Sequence, residues 1–296
     1  MKKKSKKIAL VLSGGGARGI AHIGVVDELI ERGYEITAIA GTSMGSLVAG
    51  VFAMGKLKEF EEWIVKLDKK GIFHLVDFTL STQGIIKGDR VLNKIKEIVG
   101  EGKIEDLPIS YAAVATDIKN KTEVVFKEGS LFDAIRASIS IPTVFTPVSL
   151  DNKLLVDGGL LNNLPNNHVD QSKSDYLFSV NVNANIPVLK LEKNKEEKET
   201  EENRYLTRMK DFLEHMNIFS NEKHEEHFGY FNLINRTISI MIDNNAQYNL
   251  KNFPPDALFE ISRDTADTYD FFMAKTLVET GREVAKKVLD EFEAKH

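Results

Sequence analysis

Apolar residues run without a break from Ile8 to Leu12 and stop at Ser13 and three glycines, the pattern of a short strand buried on both faces. From Gly19 to Arg32 the apolar positions Ile20, Ile23, Val26 and Ile30 recur at helical spacing, and Gly33 ends the run. Ile36 to Ala40 predicts a second strand, Ser43 to Met54 a second helix and Leu57 to Leu67 a third. Strand followed by helix, repeated, implies a parallel sheet with helices on its faces. The pattern continues with strands over Ser110 to Ala115, Thr122 to Phe126, Leu154 to Val156 and Tyr176 to Val182, and a helix over Leu131 to Ser138.

The chain changes character near residue 190. Lys190 to Arg204 is almost wholly charged or polar and has nothing to bury, which predicts a surface loop. Beyond it the chain reads as mainly helical, with the clearest periodicity over Arg204 to Met216 and Val278 to Phe292. The predicted organisation is a basic tail (residues 1–6), an α/β core (7–185), a charged surface loop (186–204) and a mainly helical part packed on the core (205–296).

Composition narrows the chemistry. The net charge of -5 argues against a nucleic-acid partner, whose binding face should be basic. The absence of cysteine excludes disulfides and thiolate catalysis and fits a reducing compartment. Five lysines lie between Met1 and Lys7, but the apolar run behind them is too short for a secretory signal. They are expected to form a solvated tail with weak attraction for anionic lipid. No stretch approaches the ~18 apolar residues of a spanning helix. The expectation is a cytoplasmic protein that meets a membrane, if at all, transiently and from its surface.

Two glycine-rich turns between strand and helix carry the candidate chemistry. Gly41-Thr42-Ser43-Met44-Gly45 matches G-x-S-x-G, in which a tight turn lifts a serine above the sheet at the start of a helix. Gly14-Gly15-Gly16-Ala17-Arg18-Gly19 offers backbone amides that could converge on an oxyanion. Gly14, Gly16 and Gly19 also fit the dinucleotide fingerprint G-x-G-x-x-G. That rival, a non-catalytic nucleotide-binding module, wants an acidic residue at the end of the second strand. Ala40-Gly41-Thr42-Ser43 stands there instead.

A serine needs a base. One candidate is Asp157, whose flanking Gly158 and Gly159 let the backbone bring a carboxylate close to another turn. The other is a triad of Ser43, Asp157 and His168, in the chain order of the α/β-hydrolase carboxylesterases. His168 sits in a polar stretch that suits a surface residue, and His22 is expected to be packed in a helix. His224 and His227 have a spacing that could hold a metal, but a solvated charged face explains them more simply. For an acyl chain, Met44, Phe52, Met54, Trp63, Phe73 and Phe78 are candidate pocket residues, and Leu67 to Gly84 a candidate lid.

These two turns, with Ala137-Ser138-Ile139-Ser140-Ile141-Pro142, Asp157-Gly158-Gly159 and Asn162-Asn163-Leu164-Pro165, resemble the bacterial patatin-like phospholipases. The resemblance covers roughly Ile8 to Pro165. It implies a three-layer α/β/α fold with a mainly parallel central sheet and a helical C-terminal extension. It also implies a Ser43–Asp157 dyad that works without histidine, metal or organic cofactor. The oxyanion hole would come from Gly14, Gly15, Gly16, Ala17 and Arg18, with the amides of Gly15, Gly16 and Ala17 foremost and Arg18 steadying the turn. Gly19, Gly41, Gly45, Gly158 and Gly159 would support the motifs. The implied reaction is hydrolysis of lipid acyl esters, phospholipid or lysophospholipid, through an acyl-serine.

Overall fold

The computed structural model describes residues 6–75, 77–81, 84–191 and 230–295. The chain divides into a main unit, residues 1–189 with 242–296, and a second unit, residues 190–241. In the second unit the described residues are 190, 191 and 230–241, the last forming the first turns of a long helix. The helix expected over Arg204 to Met216 and most of the charged loop lie outside the described residues.

The strands are β1 (Lys7–Leu12), β2 (Glu35–Thr42), β3 (Phe78–Ser81), β4 (Gly84–Ile86), β5 (Ser110–Asp117), β6 (Thr122–Phe126), β7 (Thr143–Phe145), β8 (Val148–Leu150), β9 (Lys153–Asp157), β10 (Tyr176–Ala184) and β11 (Ala257–Ser262). The α-helices are α1 (Ala21–Glu31), α2 (Met44–Ala53), α3 (Leu57–Ile64), α4 (Lys69–Leu75), α5 (Asp89–Val99), α6 (Leu131–Ser138), α7 (Tyr230–Asn252) and α8 (Ala274–Lys295). The main sheet runs β11-β10-β1-β2-β5-β9-β8, with β6 also on β5. From β11 to β5 neighbouring strands are parallel, and β6, β8 and β9 are antiparallel to their partners. A small separate sheet orders as β3-β4-β7.

Side chains alternate across a strand, so a sheet covered on both sides needs apolar residues at every position. β1 meets this demand. Ile8, Leu10 and Leu12 join the large core shared with α1, α2, α6 and α8. Ala9 and Val11 join a smaller core on the opposite face with Leu164, Val169 and Ala246. The three-layer architecture implied by the sequence is therefore present. β11 departs from the helical reading of the C-terminal part: residues 257–262 extend the sheet beside β10.

α1 and α8 cross at glycines. A Cβ on Gly24 would come within 1.9 Å of the Val278 carbonyl oxygen, and one on Gly281 within 1.9 Å of that of Ala21. Lys6 is not a free tail residue. Its ammonium donates to the Arg32 carbonyl at 2.8 Å, pairs with Glu293 at 2.9 Å and stands over the Tyr34 ring.

Candidate active site

The site begins with register on β5. β2 pairs along it up to Thr42 opposite Val114, and β9 ends on it with Asp157 opposite Ala115. β6 pairs with β5 from Ala113 to Asp117 and occupies its other edge. β2 and β9 therefore share one edge of β5 and meet end to end, C-terminus to C-terminus. Where they meet, the chain emerges as Ser43 and as Asp157-Gly158. No bulk fits at the junction: a Cβ on Gly158 would lie 2.2 Å from the Val114 oxygen and 3.0 Å from Thr42 Cγ2.

Ser43 has φ 54 and ψ -127, a conformation that L-residues rarely adopt outside a sharp functional turn. Small neighbours make the turn possible. A Cβ on Gly41 would strike the Gly45 backbone at 2.4 Å, and one on Gly45 would strike the Leu12 oxygen at 2.2 Å. The first turn of α2 is tied down by the Ser46 hydroxyl donating to the Ser43 carbonyl at 2.7 Å and by Tyr111 donating to the Ser46 carbonyl at 3.0 Å.

The segment Ala137 to Pro142 holds both halves. The Ser138 hydroxyl accepts the Ser43 amide at 2.8 Å and donates to the Val114 carbonyl at 2.6 Å. The Ser140 carbonyl accepts the Asp157 amide at 2.9 Å. Arg136 in turn donates to the Ser140 hydroxyl at 2.6 Å. The sequence marked this block without assigning it a task; its geometry fixes the backbone of Ser43 and Asp157 from one short stretch.

Asp157 is only 7% exposed. Burial pushes its carboxyl up to about 6. Hydrogen bonding from the Ser43 side chain and from the Gly159 amide, at 2.7 Å, opposes this rise and favours the charged form. A carboxylate poised there is ionised at neutral pH yet basic enough to take a proton.

The first glycine turn faces this pair. A Cβ on Gly14 would lie 3.0 Å from Ser43 Cβ. Two amides of the turn are engaged within the fold. The Gly14 amide donates to the Asn163 carbonyl at 3.2 Å, and the Ala17 amide to the Thr268 carbonyl at 2.8 Å. Ala17, expected as a foremost donor, is thus engaged elsewhere, while the amides of Gly15 and Gly16 have no hydrogen-bond partner among the described residues. Arg18 braces the turn through its side chain, donating to the Val182 carbonyl at 3.1 Å, the Ala266 carbonyl at 2.9 Å and Asn183 Oδ1 at 2.9 Å. Asn183 donates to the Gly14 carbonyl at 2.6 Å.

The dinucleotide reading lacks its ribose partner, because β2 ends at Thr42 and is followed by Ser43 with no acidic side chain at the strand end; the glycine turn is instead closely packed. The α-carbons of Gly14, Gly15, Gly16 and Gly19 are covered by Asn163, Val182, Thr268 and Met44 respectively, each within 2.6 Å of where a Cβ would stand.

Neither His168 nor His22 is hydrogen-bonded to Ser43 or Asp157. His168 pairs with Glu123 and contacts Asn167, so its ring is committed away from Ser43 and Asp157. Glu123 is held below the usual carboxylate range by His168 foremost and by Asn162. His22 is fully buried, bonds the Ser13 carbonyl at 2.8 Å and is pushed down to about 4 by burial. His224 and His227 lie outside the described residues. Among the described residues no cluster of side chains is arranged to hold a metal. Of the expected acyl-pocket residues, Met44, Phe52, Met54 and Trp63 are partly buried against the core, and Phe73 is exposed instead. The side chain of Phe78 lies outside the described residues.

Sequence reasoning missed three contributors. Asn245 on α7 accepts the Asn163 amide at 2.8 Å and donates to the Gly159 carbonyl at 2.7 Å. Thr268 clamps the glycine turn from the loop after β11. Its neighbour Tyr269 stands close enough to Asp157 for the carboxylate charge to add to burial in raising the phenol.

A strained serine turn and a buried aspartate thus meet on a mainly parallel sheet covered on both faces. The family model for patatin-like phospholipases matches residues 10–169, and the chain belongs to that family. It is 34% identical to an NTE family protein of Mycobacterium tuberculosis over 98% of this chain and 93% of that protein. It is also 33% identical to the lysophospholipase NTE1 of Scheffersomyces stipitis over 61% of this chain and 12% of that protein. The crystal structure of VipD from Legionella pneumophila aligns with a TM-score of 0.49 and 16% identity over 98% of this chain and 67% of that one, a likeness too distant to bear on function.

Proposed function

We propose that the protein is a serine carboxylic-ester hydrolase acting on the acyl esters of phospholipids or lysophospholipids. Ser43 is the nucleophile, Asp157 the base, and the amides of Gly15 and Gly16 the oxyanion donors. The observation that carries this reading is the end-to-end meeting of β2 and β9 on one edge of β5, which brings the serine hydroxyl to a buried carboxylate. The lysophospholipase among its relatives supports lipid as the substrate class.

Asp157 takes the Ser43 hydroxyl proton as the oxygen attacks the ester carbonyl. The carbonyl oxygen becomes an oxyanion facing the glycine turn, where donors preset for charge are typically worth ~10²–10³ in rate each. Collapse breaks the ester bond, and Asp157 returns its proton to the departing alcohol. A water, deprotonated by the same carboxylate, attacks the acyl-serine; a second collapse releases the fatty acid and restores Ser43.

Labelling with a fluorophosphonate probe tests this. Wild type should gain one adduct by intact mass, Ser43→Ala none, and Asp157→Asn should label slowly. A folded wild type that neither labels nor hydrolyses a soluble short-chain ester removes the proposal.

A further inference from the structure

The sheet places β1 between β10 and β2. The glycine turn that leaves β1 therefore has the end of β10 on one side and Ser43, which follows β2, on the other. Near that end β10 breaks its regular ladder: its pairing with β11 shifts register between Asn181 and Ala184. The Asn183 amide is taken instead by Asn181 Oδ1 at 3.0 Å, and the Val182 amide by the Ser13 hydroxyl at 3.0 Å. From this break Asn183 reaches the glycine turn. A Cβ on Gly15 would lie 2.3 Å from Val182 Cγ2 and 3.3 Å from Asn183 Oδ1.

The Asn183 side chain joins two groups of opposite kind. Its Oδ1 accepts from Arg18 Nη2 at 2.9 Å, and its Nδ2 donates to the Gly14 carbonyl at 2.6 Å. A guanidinium only donates and a carbonyl only accepts, so one orientation of the amide serves both. Arg18 is itself held by the Val182 and Ala266 carbonyls. A second, longer contact to the Gly14 carbonyl comes from Asn163 Nδ2 at 3.4 Å. That carbonyl shares a planar trans peptide with the Gly15 N–H, so the two groups point in opposite directions.

We infer that Asn183 is a positioning residue of the reaction: by drawing the Gly14 carbonyl toward β10 it aims the Gly15 N–H at the oxyanion that forms on the Ser43 side of the turn. The inference rests on the hydrolase reading and separates its two oxyanion donors. Gly16 opens the 3₁₀ turn Gly16–Ile20, whose backbone sets the direction of its amide. Gly15 precedes that turn and depends on its anchored carbonyl. A donor aimed in advance acts on charge that exists only in the transition state, so its loss shows in kcat and not in KM.

The test compares Asn183→Asp with Asn183→Ala in the full chain, on a soluble butyrate ester. Aspartate keeps the shape and the bond from Arg18. Charged beside that guanidinium, it cannot donate, and it sets an oxygen against the Gly14 carbonyl. If Asn183 only tied down Arg18, the aspartate variant would work as wild type and the alanine variant would be the impaired one. The positioning role reverses this order. Asn183→Asp should lower kcat about thirtyfold and Asn183→Ala about tenfold, each with KM within about twofold of wild type, short of the ~10²–10³ that follows outright removal of a donor. A trifluoromethyl ketone, whose adduct with the serine carries an oxyanion, should lose affinity by the same factor as kcat/KM. The pH midpoint of kcat/KM in Asn183→Ala should stay at the wild-type value, because Asp157 is untouched. Wild-type kcat in a folded Asn183→Asp overturns the inference, as does a loss confined to KM. If the aspartate variant does not fold, the alanine variant decides: a ratio of ketone affinity to KM unchanged from wild type overturns the inference. A folded wild type that cleaves no ester is a separate result, which removes the hydrolase reading and the inference with it.

Discussion

Thr42 and Asp157 are registered against consecutive residues of one strand, Val114 and Ala115, at the ends of two strands that run toward each other. This relationship sets the distance between serine and carboxylate through backbone pairing, not through flexible loops. Groups that hold the junction should therefore matter as much as the reacting groups themselves.

Ser138 is the first test. Its hydroxyl serves the Ser43 amide and the Val114 carbonyl at once, and both become unsatisfied in Ser138→Ala. Kcat is expected to fall about tenfold with KM nearly unchanged, and stability by about 1–3 kcal/mol. Steady-state kinetics on a soluble ester and urea unfolding measure the two effects.

Asp157 should govern both rate and stability against pH. As the proposed base it acts only when ionised, so kcat/KM should rise with pH through a midpoint of about 6 and then level. Stability runs the other way. The folded carboxyl binds its proton more tightly than the unfolded one, at about 6 against 3.8. Its stabilising contribution is therefore complete below pH 3.8 and lost as pH rises through 6, a difference of about 3 kcal/mol. Asp157→Asn, neutral and of equal size, should be inactive and should melt a few degrees above wild type at pH 8. The gap should close at pH 4. Equal melting temperatures at pH 8 would contradict the assignment of burial as the dominant cause.

Gly45→Ala should destabilise the protein by about 3 kcal/mol, because its methyl would press on the Leu12 carbonyl with no flexible partner to yield. Gly33→Ala makes a useful contrast. Its φ of 79 strains an alanine, but nothing lies within 4 Å of the new methyl, so about 1 kcal/mol is expected. Thermal melts of the two variants side by side separate clash from strain.

His168→Ala addresses the triad directly. With its ring committed to Glu123, the variant should keep activity within about threefold of wild type and lose about 1 kcal/mol of stability. Loss of activity on the scale of Ser43→Ala would restore the histidine-dependent mechanism.

Much of this was legible in sequence because it is local. The unbroken run of β1, the helical spacing of α1, the serine turn and the limits of β6 and α6 follow from near neighbours. β11 was not legible. Ala-Leu-Phe-Glu-Ile-Ser is short, follows two prolines and sits among helical patterns, and only pairing with β10 makes it a strand. α5 was passed over although Leu92, Ile95 and Val99 lie on one face between Gly88 and Gly100. The fate of the glycine amides was hidden for a different reason. The carbonyls that engage Gly14 and Ala17 belong to Asn163 and Thr268, and a backbone acceptor leaves no mark in the residue type that carries it. Asn245 was invisible likewise, since an asparagine on a helix announces no partner.

The bond from Ala17 to the Thr268 carbonyl joins a turn made early in synthesis to a loop made late. The residues of the serine elbow are synthesised long before that clamp, and domains order from the N-terminal side while synthesis proceeds. Until Thr268 arrives, the turn opposite the serine lacks one of its fixed points. The arrangement works as an assembly interlock: an incomplete chain carries Ser43 without one of the fixed points of the glycine turn that faces it, and the site is finished only when the segment after β11 has docked.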